Sequence, residues 1–329
     1  MVNEAPRDSM RGDSVCAVVV TFWPDAQIVQ RLNAAISQVA HVIVVDNASS
    51  GATIIELRSW TDAHFADLLT NDQNLGVATG LNQGFELAIS KGYAYVLALD
   101  QDSLVQAGMV RAELDQYHIH PNRARLAVVA PRVLDPDNGI ESRYMRPRGR
   151  FFFERVGCGE GVINGATNVI GSGALFSLGA FGQIGRFRDD YFVDYVDTEY
   201  CLRARRCGFD ICVACDARLQ HKWGDVRRVQ IGPVEVRPTF HVPKRWYFIS
   251  RNRVDVIRNH GLHFPHFLLY DLLLAVWWLV RMLLFEDRRL AKMAAVLRGT
   301  LDGLRGRMGP GPAARLREAV RHVGPNRAP

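Results

Sequence analysis

Four short, continuously apolar runs punctuate the first 135 residues: CAVVVTF, HVIVVDN, YAYVLALD and LAVVAPRVL. Stretches with helical spacing lie between them, among them DAQIVQRLNAAISQV and NQGFELAISKG. Strands that are apolar throughout, alternating with helices of about 12 residues, predict a parallel sheet covered on both faces. The first half, 14–135, therefore reads as an α/β unit of the nucleotide-binding type. From 135 to 165 the chain becomes rich in Gly, Pro and Arg, as substrate-facing loops often are. A strand-like pattern resumes in NVIGSGALFSL, and DDYFVDYVDTEYCLRARRCG reads as a loop followed by a helix that Gly208 ends. FDICVACDARLQH is a further strand, leading to His221. The second half, 136–260, thus reads as the acceptor and catalytic half, and 261–329 as a helical, basic, membrane-associating tail. Within that tail, FPHFLLYDLLLAVWWLVRMLLF at 264–285 is long enough to cross a bilayer. Asp271 and Arg281 interrupt it and leave an apolar stretch of only about nine residues, too short to span. An interfacial amphipathic helix is favoured, with Trp277 and Trp278 suited to the head-group boundary; a buried or oligomer-forming helix and a true span are the alternatives. Residues 1–13 contain no apolar secretory core and read as a loose tail.

Composition narrows the classes. With 329 residues, 48% hydrophobic and 22% charged, the chain can bury a sizeable core. The formal net charge is +6, and basic residues crowd the last third in KRWYFISRNR, EDRRLAK and LRGRMG. Anionic lipid head groups, a phosphate-bearing substrate and nucleic acid all suit such charge. Nucleic acid is disfavoured because acidic clusters line the expected crevice and would repel phosphates. Of the six cysteines only Cys212 and Cys215 form a C-x-x-C, and zinc would need a second pair. A reduced, cytoplasmic protein is the simpler reading.

The chemistry gathers at strand ends. The run VLAL stops at Asp100, and Asp102 follows one residue later. Residues i and i+2 of a strand share a face, and ligands of open α/β sheets bind beyond the carboxyl ends of strands. Two hard carboxylates there suit Mg²⁺ or Mn²⁺, the plain alternative being a turn capped by both aspartates. Asp46 and Asn47 end another strand, where a carboxylate can accept from a base imide or a ribose hydroxyl. Gly76, Gly80 and Gly84, with Asn82 among them, are spaced by four and would let backbone approach a ligand or a neighbouring strand. No G-x-x-x-x-G-K-[ST] occurs, which weakens an ATPase reading. A second acidic cluster sets Asp190, Asp194, Asp197 and Glu199 among aromatic residues. Desolvation there would raise a carboxyl pKa toward general-base values, although acidic residues also suit the first turn of a helix. His221 could be a third metal ligand, a phosphate contact or a structural histidine.

In order along residues 14–260, VVVTFWPD, VIVVDN, NLGVATGLNQGF, LALDQDS, GSGALFS, FVDYVDTEYCLRAR, LQHKWG and RWYFISRN resemble family 2 glycosyltransferases of the GT-A fold. They are most similar to the bacterial rhamnosyltransferase branch, in which LDQDS is the form of the D-x-D. The resemblance implies a GT-A sheet with helices on both faces, Thr21 and Asp46 beside the nucleotide, and Asn47, Gly76, Asn82, Asp100 and Arg251 as further donor contacts. It implies a metal held by Asp102, Asp100 and His221, and Asp197 as the catalytic base. Val196 departs from the Glu usual in that motif, so Asp194 stays open as the alternative base. The implied activity is inverting transfer of L-rhamnose from dTDP-L-rhamnose. The expected acceptor is a lipid-linked glycan, such as O-antigen or another surface polysaccharide, at the inner face of the cell membrane, and the enzyme is expected to be peripheral there, with self-association possible. A rhamnolipid receiving its second rhamnose is the alternative acceptor. The rivals are a nucleotidyltransferase, which VVVTFWPD does not suit because it has no Gly-rich loop, and a non-catalytic nucleotide-sugar-binding or scaffold protein.

Overall fold

The computed structural model describes residues 14–311 apart from 223, 225, 227–228, 232–233 and 237; the expected loose tail over 1–13 lies outside them. The apolar runs become β1 (Val15–Thr21), β2 (His41–Asp46), β3 (Asp67–Thr70), β4 (Tyr95–Asp100), β5 (Ser103–Val105) and β6 (Leu126–Asp135). The 135–165 region holds only short strands: β7 (Ile140–Glu141), β8 (Arg143–Pro147), β9 (Phe153–Gly157) and β10 (Val162–Asn164). They are followed by β11 (Leu175–Ser177), β12 (Asp210–His221), β13 (Val229–Ile231) and β14 (Val234–Val236). The helices are α1 (Ile28–Ile36), α2 (Ala52–Ala63), α3 (Val77–Ser90), α4 (Met109–Ile119), α5 (Leu178–Ile184), α6 (Val196–Arg206), α7 (Pro243–His260), α8 (Pro265–Phe285) and α9 (Arg289–Leu304).

The central sheet runs β10-β12-β6-β11-β4-β1-β2-β3. Strands β3, β2, β1 and β4 are parallel neighbours, as are β6 and β12, while β11 is antiparallel to both β4 and β6. The carboxyl ends of β1, β2, β4 and β12 therefore share one edge. Both proposed halves, 14–135 and 136–260, contribute interleaved strands to this one sheet. Side chains alternate along β1: Cys16, Val18 and Val20 enter one core with α3, α5 and α6, whereas Val15, Ala17 and Val19 enter the other with α1, α2 and α4. NVIGSGALFSL is strand only over β11, because its first part forms a loop that the site uses.

Of the glycines spaced by four, Gly80 and Gly84 serve a neighbouring strand. A Cβ at Gly80 would stand 2.9 Å from Val20 Cγ1, and Val18 leaves no room for one at Gly84, so α3 lies directly on β1. Cys212 and Cys215 do not act as a pair. At i and i+3 of β12 they face opposite sides of the sheet, with Cys212 in one core and Cys215 in the other. Cys215 instead forms a disulfide with Cys158, 57 residues away, in place of the all-thiol set expected. In the tail from 261, a Cβ at Gly299 or Gly303 would meet Tyr247 and Arg251 backbone, so α9 packs directly on α7.

Candidate active site

Strand β4 ends at Asp100, and the chain turns at Gln101–Asp102 before β5 pairs with β12, Ser103 opposite His221. Asp102 thus reaches the site through a turn, not by the strand alternation expected. Ligating atoms of Asp100, Asp102 and His221 lie within 4.8 Å of one another. Ser103 Oγ is 2.8 Å from His221 Nδ1 and 2.7 Å from Ser172 Oγ, which accepts from the Asp100 amide at 2.9 Å. Gln101 turns away and accepts from the Phe22 amide at 2.7 Å, anchoring the turn to the end of β1. Burial raises the pKa of Asp100, with Asp102 and Asp197 adding to the rise against the pull of His221. Burial alone would raise Asp102 as well, but the hydrogen bond and charge of His221 prevail and hold it low. The same pair lifts His221, whose burial would otherwise lower it. Two carboxylates and an imidazole converging on the ligand edge fit a divalent cation that prefers oxygen donors.

Asp197 is the second residue of α6. Its Oδ2 accepts from the Gly171 amide at 3.0 Å and its Oδ1 from the Thr198 amide at 2.7 Å. Burial raises its pKa in spite of these amide donors. Asp194 is differently placed: its carboxylate is paired with Arg245, Nη2 to Oδ1 at 3.0 Å. Arg245 also lies in the field of Asp100 and Asp102. One loop ties the two groups together, since Gly171 holds Asp197 while Ser172 holds Asp100 and Ser103.

The segment before Asp197 is strained. Phe192, Asp194 and Tyr195 have φ of 67°, 60° and 63°, left-handed values that cost non-glycine residues about 1–3 kcal/mol each. Helix α7 clamps it. Asn252 Nδ2 donates to the carbonyls of Tyr191, Val193 and Asp194 at 3.1, 2.9 and 2.9 Å, and Phe192 stacks on Phe248 with centroids 5.1 Å apart. Arg251, expected at the donor, is fully buried, and its guanidinium donates to the carbonyls of Asp190, Tyr191 and Gly309. Its Nε donates to Asn252 Oδ1 at 3.0 Å, so it holds the loop from behind with its donors spent inside the protein. Asn82 likewise bonds Phe187 and Asp189 in the interior, fixing α3 to the chain ahead of that loop. Gly76, φ 90°, gives its place to Phe192, whose carbonyl a Cβ would meet at 2.5 Å.

Thr21 and Asp46 stand side by side at the ends of β1 and β2, Thr21 Oγ1 donating to Asp46 Oδ1 at 2.7 Å. Ser49 donates to the same carboxylate through its amide and its hydroxyl, each at 2.7 Å. Asn47 orders the neighbouring loop, accepting from Asn71 and donating to the Gly76 carbonyl. Sequence reasoning gave no role to Arg245, Ser103, Gly171 or Ser172. The last two lie in the GSGALFS motif and Arg245 opens RWYFISRN, so the signal was present without a geometry to interpret it.

Residues 16–183, just over half of the chain, match the model of glycosyl transferase family 2. The chain belongs to that family. Among curated relatives, the dTDP-rhamnosyl transferase RfbF of Shigella flexneri is 28% identical over 306 residues, covering 91% of this chain and 98% of that protein. Among solved structures, the mannosyltransferase PcManGT from Pyrobaculum calidifontis, in complex with GDP-Man and Mn²⁺, superposes with a TM-score of 0.52 at 16% identity, covering 88% of this chain and 86% of that one. GalNAc-T7 with UDP, GalNAc and Mn²⁺ superposes with a TM-score of 0.51 at 12% identity over 77% of this chain but only 54% of that longer one. The protein is thus a family 2 glycosyltransferase with the GT-A fold expected from its motifs, and the Asp100–Asp102–His221 group lies at the ligand edge of that sheet.

Proposed function

We propose that this glycosyltransferase moves L-rhamnose from dTDP-L-rhamnose to a hydroxyl of a lipid-linked glycan at the inner face of the cell membrane, with inversion. The observation that carries the reading is the convergence of Asp197 and the Asp100–Asp102–His221 group on one loop, in a chain similar to RfbF over nearly its full length.

Asp100, Asp102 and His221 would hold Mg²⁺ or Mn²⁺, which when bound supplies positive charge beside the departing diphosphate. Thr21 and Asp46, at adjoining strand ends, are assigned to the nucleoside, Asp46 exchanging its Ser49 contacts for the base or the ribose. Asp197 takes the proton from the acceptor hydroxyl as that oxygen forms its bond to the anomeric carbon and the bond to the diphosphate breaks on the opposite face. Single displacement inverts the centre. Burial raises the pKa of both carboxyls, but that of Asp194 is engaged by the Arg245 guanidinium, which opposes the rise and occupies its oxygens, and this favours Asp197 as the base. Arg245 is assigned to the diphosphate side of the site.

The test is a thermal-shift panel of dTDP-rhamnose, UDP-sugars and GDP-mannose, with and without Mn²⁺ or Mg²⁺. A ligand that binds only the native state raises the melting temperature by mass action. The expected result is a metal-dependent shift with dTDP-rhamnose that Asp102→Ala removes. Preference for a UDP- or GDP-sugar would discard rhamnose, and an undiminished shift in Asp102→Ala would discard the metal assignment.

A further inference from the structure

Helix α8 is amphipathic in an inverted sense. Leu269, Leu273, Val276, Trp277, Val280 and Leu284 are all exposed, Val276 at 62% and Trp277 at 51%. Their spacing of three and four places them along one outward stripe, about 22 Å long at 1.5 Å per residue. No charged side chain interrupts it. The two charges that seemed to break the segment face the protein: Asp271 accepts from Tyr195 Oη at 2.6 Å and from Arg253 Nε at 3.0 Å, and Arg281 donates to Thr239 Oγ1 at 2.7 Å. The apolar face is therefore continuous where the linear sequence is not.

These inward bonds also restrict how the helix can meet a bilayer. Carrying α8 across a membrane would strip Asp271 from Arg253 and Tyr195 and leave charges in hydrocarbon. Lying flat keeps every bond and buries only the stripe. The surrounding charge identifies the occupant. Among the described residues of this part of the chain, 261–311, seven are Lys or Arg and four are Asp or Glu, and Arg298, Arg305 and Arg307 are exposed. Arg288 and Arg289 follow α8 after Glu286 and Asp287, and both are exposed. A second copy would bring like charge to this face, whereas an anionic bilayer meets it with opposite charge, and a half-exposed indole suits the head-group boundary.

We infer that the outward stripe of α8 is an in-plane docking face for an anionic lipid bilayer, with the basic residues around it reading the head groups. The inference supplies a surface for the lipid-linked acceptor proposed above but rests on α8 alone, and vesicle binding is scored separately from donor binding so that either can fail without the other.

The experiment is flotation of the full chain with vesicles of phosphatidylcholine alone or mixed with phosphatidylglycerol. The expected result is flotation with the mixed vesicles, at least about tenfold weaker on the neutral ones and weakened by salt. Leu273→Glu with Val276→Glu should lower binding by a further order of magnitude or more, while the melting temperature and the donor shift stay at wild-type values. Vesicle-induced blue shift of the tryptophan emission, lost in Trp277→Phe, reads the same face without adding charge. Equal flotation of the double variant overturns the inference. Recovery from membranes by detergent alone after a high-salt wash overturns it in favour of a span. A dimer by light scattering that the double variant dissociates, with no flotation of the wild type, overturns it in favour of a second copy.

Discussion

Asn252→Asp separates the clamp on the strained loop from the rest of the fold. The side chain keeps its size, and its Oδ1 still accepts from Arg251 Nε, 3.0 Å away. What is lost is the Nδ2 donor to Tyr191, Val193 and Asp194. Tyr191 retains the donation of Arg251 Nη2 at 3.0 Å, so the carbonyls of Val193 and Asp194 bear the loss. A buried carbonyl deprived of its donor costs about 1–3 kcal/mol, hence at most about 2–6 kcal/mol for these two, which are partly buried. This is of the same order as the strain in the three left-handed residues, about 1–3 kcal/mol each. The loop then keeps the Phe192–Phe248 stack and its bonds to Arg251 and Arg245 but loses the donor that offsets much of its strain.

The new carboxylate gains a charge-assisted bond to Arg251 worth about 1.5–3 kcal/mol, which offsets part of the loss globally but not in the loop. The melting temperature should therefore fall by only a few degrees. Turnover should fall far more, because moving a reacting group by about 1 Å costs about 10²-fold. The assay is steady-state transfer with thermal melting alongside, and the signature is a kcat about 10²-fold lower with donor KM within about threefold. A kcat within about threefold of wild type in a folded variant would refute the idea that the clamp positions Asp197.

Asp197→Asn should retain the donor-induced thermal shift while lowering kcat about 10²- to 10⁴-fold, the usual worth of a general base; retained turnover would exclude it as the base. Burial raises the Asp197 pKa, so the base is protonated at pH values where an ordinary carboxylate is already ionised. The acid limb of kcat/KM should accordingly rise with pH and level off with its midpoint above about 3.9, and a midpoint at or below that value would contradict a buried base. Gly84→Ala should cost about 1–3 kcal/mol by overpacking against Val18, with Val18→Ala restoring part of the melting temperature; full tolerance would mean that α3 does not rest on β1 as described. Asp271→Asn leaves Arg253 without a carboxylate in a buried setting, a loss of about 3–5 kcal/mol read by thermal or urea unfolding, and a stability unchanged within error would show that this pair does not hold α8 to α7.

What a sequence shows directly is periodicity, and most of the fold was of that kind. The continuously apolar runs are β1, β2, β4 and β6, and the place where one stops marked Asp100 and Asp102 before any geometry was available. Destinations of polar side chains are another matter. Arg251 and Asn82 lie in motifs that suggest a ligand, yet both spend their donors inside the protein, on backbone carbonyls and on the side chains of Asn252 and Asp189, a fact that depends on which loop packs over them. Asp197 and Asp194 are indistinguishable as letters and separate only when Arg245, about fifty residues on, pairs with one of them. Ser172 and Gly171 were visible in a motif but acquired meaning from the strands they bridge.

Helix α8 shows the same limit in its sharpest form. Counting charges along a hydrophobic segment treats the helix as a line, so Asp271 and Arg281 shorten it to an unremarkable stretch. On the cylinder those residues occupy one side, and the other side is left wholly apolar. The inward carboxylate then does more than spare the outer face. Through Tyr195, a left-handed residue two positions before Asp197, it connects the helix that faces outward to the segment that sets the base. A surface suited to lipid and a carboxylate suited to proton transfer are thus joined by two side chains, an arrangement that no composition or spacing along the chain records.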